Sequence, residues 1–69
     1  MGWRDHLLQL FARGIRDVRG EALDVDVVIR VLDRIAADAE ISDRLDALDQ
    51  DSVRSEFLAL YESETSGDR

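Results

Sequence analysis

Cysteine, proline, lysine and asparagine are all missing from this 69-residue chain. Without cysteine there is no disulfide and no thiolate metal site. No proline interrupts its helical patterns. The lone histidine, His6, cannot by itself build a zinc site. A Ser-His-Asp arrangement would have to form around His6, and no serine lies near it in sequence. The periodicity places it on the polar side of a helix, as a solvated surface histidine. Asp49 and Asp51 start like a calcium loop, but the later ligand positions fall on Val53, Arg54 and Leu60, and the match fails. No apolar run approaches the ~20 residues of a membrane span. The first residues do not read as a secretion signal, because charged Arg4 and Asp5 precede only a short apolar stretch.

These absences set the expectations. They are a non-enzymatic protein with no catalytic residues, no cofactor, no metal and no membrane span, located in the cytoplasm. At this length a core supplies only a few kcal/mol of net stability. Self-association into a homo-oligomer is therefore expected.

What the chain does have is charge and helical periodicity. The net charge is −7, and it is unevenly placed. Residues 1–20 carry four arginines against two aspartates, a balance of +2; residues 21–69 carry five arginines against fourteen acids, a balance of −9. A basic helix joined to an acidic body points to helices that recognise each other or a partner.

Four amphipathic segments follow from a 3.6-residue period. The first is expected over Gly2 to Arg19, with Trp3, Leu7, Leu8, Leu10, Phe11, Ile15 and Val18 on one side. Gly14 falls within that stripe, either to let a neighbouring helix pack closely or as a tolerated mid-helix glycine, and Gly20 reads as the stop. The second is expected over Asp24 to Glu40, capped by Asp24, with Val25, Val28, Ile29, Val31, Leu32, Ile35, Ala36 and Ala39 as its apolar side. A short helix is expected over Asp43 to Asp49, capped by Ser42. The last is expected from Asp51 or Ser52 to Glu62. Residues 63–69 read as a disordered polar tail.

The fold class is therefore all-α, a small bundle of three main helices and one short helix over residues 1–62, open to completion by dimerisation. The expected core is Leu7, Phe11, Ile15, Val28, Leu32, Ile35, Leu45, Leu48, Phe57 and Leu60.

Two short resemblances occur around residues 35–46. Ile35-Ala36 through Ile41-Ser42 to Leu45 resembles a helix-turn-helix motif, with small residues in the first helix and an apolar anchor in the second. It departs in having Glu40 where the turn often has glycine. Its second helix is also acidic and would meet phosphates with like charge. Ser42-Asp43-Arg44-Leu45-Asp46 is similar to the Ser-x-x-Leu-Asp core of the sporulation-type aspartyl-phosphate phosphatases, over too few residues to carry that function.

The functional expectation is a protein–protein interaction module, a small adaptor, inhibitor or antitoxin-like regulator that binds a basic protein partner. The candidate partner-binding residues are Trp3, Arg13, Arg16, Arg19, Asp43 and Asp46. Arg13, Arg16 and Arg19 would line one helix at i, i+3 and i+6 and favour its C-terminal dipole. The alternative is a nucleic-acid-linked regulator, either a weak helix-turn-helix-like binder or an acidic DNA-mimic inhibitor; direct nucleic-acid binding is not expected of the acidic helix.

Overall fold

A computed structural model describes residues 2–66. These residues form four helices: α1 over Trp3–Ala12, α2 over Val25–Ala37, α3 over Ala39–Asp46 and α4 over Gln50–Ser66. Among the described residues the only extended pairing is a single antiparallel bridge between Arg16 and Ala22. The chain is all-helical and compact.

The first helix stops earlier than its apolar period suggests. Arg13 is the C-cap of α1, and Gly14 follows with φ +75°. That left-handed conformation closes helices and favours glycine. A Cβ on Gly14 would meet nothing within 4 Å, so its role is backbone conformation and not close helix packing. Residues 15–24 instead make a tight connection organised by Asp17. Its carboxylate accepts from the N–H groups of Arg19 and Glu21, both at 2.9 Å. The Asp17 N–H donates to Glu21 O and the Gly20 N–H to Asp17 O, each at 3.0 Å. Gly20, at φ +82°, is part of this turn and not a helix stop.

Asp24 caps α2 as the sequence suggests, accepting from the Asp26 N–H at 2.9 Å. The end of α2 differs. Asp38 stands outside the helical region, with φ −117° and ψ 104°, and it serves two helices. Its own N–H donates to Ile35 O at 3.2 Å. Its carboxylate accepts from Glu40 and Ile41, starting α3. Asp38, not Ser42, is thus the N-cap of α3. Ser42 lies inside α3, and its hydroxyl donates to Ile35 O at 2.6 Å, a second donor to the carbonyl that already accepts from the Asp38 N–H at the end of α2. Asp49 then opens α4, accepting from the Ser52 N–H at 2.8 Å. That helix runs through Ser66, so residues 63–66, expected in a disordered tail, are helical. Glu64 holds Arg34 of α2 at 3.2 Å there. Residues 67–69 of the expected tail lie outside the described residues.

The core gathers on α4. Both α1 and α2 pack against it, and α3 packs against α1 and α2. Buried side chains are Trp3, Leu7 and Leu10 from α1, Val27, Val31 and Ile35 from α2, Leu45 from α3, and Val53, Phe57 and Tyr61 from α4. Phe57 sits between two aromatic neighbours, edge-on to Phe11 at 5.6 Å and tilted against Tyr61 at 6.4 Å. Of the expected core, Leu7, Ile35, Leu45 and Phe57 are buried. Phe11, Ile15, Val28, Leu32, Leu48 and Leu60 pack around it only partly covered. The α2 register explains much of this. Val27, Val31 and Ile35 recur every fourth residue and define the line that meets α3 and α4, leaving Val28 and Leu32 to one side.

Candidate partner-binding surface

The six residues picked from sequence separate into structural and surface roles. Trp3 is only 4% exposed, so it anchors α1 and is not a free recognition side chain. Its backbone N–H donates to the Asp46 carboxylate at 2.9 Å. Gly2 has no side chain with which to cap α1, and Asp46, at the far end of α3, supplies that cap across 43 positions of sequence. The Arg4 guanidinium lies 4.8 Å from the centre of the Trp3 ring. Trp3 and Asp46 therefore meet, as a tie within the fold. With Gly2, Arg4 and Asp5 they line an open depression of about 320 Å³.

The expected arginine stripe does not form, because α1 ends at Ala12. Arg13 is the cap residue. Arg16, in the connection, reaches the Gly20 carbonyl at 3.5 Å. Arg19 pairs with Glu62 of α4 at 3.6 Å. Asp43 is exposed on α3.

Electrostatics follow from where the arginines go. Arg19, Arg34 and Arg44 pair with Glu62, Glu64 and Glu56, the last at 3.0 Å, so three ion pairs converge on α4. They are solvent-exposed, and pairs of that kind contribute at most about 1 kcal/mol each. Asp26 and Asp33 on α2, and Glu40 and Asp43 on α3, are exposed and hold no cation within 4 Å among the described residues. The Ser52 backbone N–H and hydroxyl hold the Asp49 carboxyl below its usual range, with His6 adding a smaller pull in the same direction. His6 is half-buried rather than fully solvated, and its Nδ1 is covered with no hydrogen-bond partner. Among the described residues no group of three or more His, Asp or Glu is placed to hold a metal ion. No helix there is long and apolar enough to cross a membrane.

The surface feature that sequence reasoning missed is apolar. Val25 is 69% exposed and Ile29 50%, one turn apart on α2, and Leu8 and Val18 are exposed elsewhere. The 3.6-residue period places all four on the apolar sides of helices. The signal was present in the width of the α2 stripe. At about 100° per residue, the apolar positions from Val27 round to Ile29 cover about 200° of the helix. That exceeds what α3 and α4 cover, and the surplus faces outward. Comparison with protein-family models, with curated proteins and with solved structures finds no match to this chain.

Proposed function

We propose that this chain is a non-enzymatic interaction module, a small adaptor or inhibitor whose helices dock onto a protein partner. The observation that carries the proposal is the pair Val25 and Ile29, large apolar side chains left largely in water on a helix that buries Val27, Val31 and Ile35. Isolated exposed apolar residues are ordinary, but a contiguous apolar strip rimmed by charge marks an interaction surface. Unpaired acids on α2 and α3 favour a basic partner. The four helices then act as a small bundle that holds α2 rigid. Self-association through the same strip would extend a small core, but it would bring two chains of net charge −7 together.

Capture from native lysate tests this. The wild-type chain should retain specific proteins that a Val25→Ser/Ile29→Ser variant of equal melting temperature does not. Identical retention by both chains overturns the reading. A nucleic-acid reading through Arg13, Arg16 and Arg19 loses its helical arginine stripe where α1 ends at Ala12. The acidic form of that alternative rests on Glu40 and Asp43 of α3 standing in for phosphates, and it predicts that duplex DNA displaces whatever the chain captures.

A further inference from the structure

We infer that the outward strip of α2 receives one amphipathic helix of a partner protein, laid along α2 in coiled-coil register and flanked by arginine or lysine on the side facing Asp26 and Asp33. This inference rests on the interaction-module reading and assigns its surface and the class of its partner.

The register comes from spacing. Val25, Ile29, Leu32 and Ala36 are separated by four, three and four residues, the alternation of a two-helix seam. Val25, Ile29 and Ala36 are exposed and Leu32 is half-buried. The core line of Val27, Val31 and Ile35 keeps the spacing of four throughout and is fully covered. The helix thus carries two apolar lines, one enclosed by the fold and one open at Val25, Ile29 and Ala36 with Leu32 half-covered between them. Small Ala36 at the C-terminal end of the seam admits a close backbone approach.

Charge selects the occupant. Relative to the middle of the seam, Asp33 and Asp26 lie about 70–90° away on the exposed side, and Arg30 lies about 130° away. The other side of the seam runs through Val28 into the core. The one charged margin that a docked helix meets is therefore acidic. Neither aspartate holds an ion pair among the described residues. In an antiparallel pairing of two copies these aspartates would face each other. In a parallel pairing they would face the apolar Val28 side. Neither arrangement neutralises them, whereas a partner helix with arginine or lysine along its margin does.

Two synthetic three-heptad helical peptides test this, both with leucine at the seam, one with arginine and one with glutamate at the flanking positions. Like-charge repulsion between their flanks keeps each from pairing with itself. Fluorescence anisotropy at low salt should show the arginine peptide binding about tenfold more tightly than the glutamate peptide. The gap should shrink with added salt. Asp33→Arg, which leaves Asp26 opposed by one cation, should erase the preference, and Asp26→Arg/Asp33→Arg should reverse it. Val25→Ser/Ile29→Ser should abolish binding with an unchanged melting curve, since serine and isoleucine have similar helix propensity. Amide shift perturbations should cluster on residues 25, 29, 32 and 36.

Equal binding of both peptides, no binding of either, or perturbations centred on another element overturns the inference. So does sedimentation showing a dimer that Val25→Ser/Ile29→Ser dissociates, because a second copy then fills the strip. If lysate capture depends on Val25 and Ile29 while the peptide preference fails, the interaction-module reading stands and the basic-helix assignment falls.

Discussion

The two apolar lines of α2 carry nearly the same residues and meet opposite environments. Val27, Val31 and Ile35 are enclosed by α3 and α4, whereas Val25 and Ile29 stand in solvent. Residue type does not distinguish them. What distinguishes them is a rotation of the helix set at its two ends. At the start, the Asp24 N–H donates to the Tyr61 hydroxyl at 2.8 Å, fastening α2 to the buried face of α4. At the end, Asp38 and Ser42 close α2 and start α3 within a few residues. Polar ties at both ends hold α2 in the rotation that buries Val27, Val31 and Ile35.

Substitutions can break that comparison, and the largest effect belongs to the enclosed line. Ile35→Ala should destabilise the chain by about 2–5 kcal/mol, through lost burial and the cavity left behind. In a domain of this size that is enough to depress the thermal midpoint by about 8 °C or more, at about 4–8 °C per kcal/mol. Tyr61→Phe, measured by urea titration, should cost about 1–2 kcal/mol. It leaves the Asp24 N–H without its partner while preserving ring packing. Asp38→Ala removes the acceptor that starts α3 and should cost about 1 kcal/mol by the same titration.

A pH series addresses the junction that opens α4. The Asp49 carboxyl titrates below the usual range when folded. A group of that kind contributes stability above its unfolded value, near pH 4, and loses it as pH falls through the lowered folded value. Wild type should therefore lose stability below about pH 4 more steeply than Asp49→Asn. Parallel curves would show that the Ser52 contacts do not favour the charged form. The smallest effect belongs to the free line. Ile29→Ala should leave the thermal midpoint within the range of an ordinary surface change, about 0.5 kcal/mol. A loss approaching that of Ile35→Ala would mean that the strip is covered in solution.

Helix number and type were legible in the sequence, because the 3.6-residue period is strong in every segment and Asp24 is an unambiguous start. The end of α1 was not. Ile15 and Val18 continue the period past Gly14 by coincidence, so the pattern reads as one long helix. The glycine's backbone and the bonds around Asp17 end it in three dimensions. The junction between α2 and α3 was ambiguous for a different reason. Asp38 and Ser42 are both good caps, and Asp38 takes the role while Ser42 bonds backward to Ile35. The candidate site was less legible still. Trp3 and Asp46 read as partner-binding candidates in the sequence, yet they meet as a tie between the start of α1 and the end of α3. Val25 and Ile29 were hidden among residues of their own kind. A stripe of about 200° is a surplus only once the packing of α3 and α4 is known.

The Trp3–Asp46 bond also makes the molecule self-reporting. The chain contains a single tryptophan, and its indole is enclosed where α1 meets the rest of the fold. Intrinsic emission is therefore a one-site optical gauge of α1 docking. Far-ultraviolet circular dichroism reports on all four helices together. In a denaturant titration the two signals superimpose if the molecule comes apart in one step. If α1 peels away first, the fluorescence change precedes the loss of helix. Asp46→Ala should then widen the separation between the two curves.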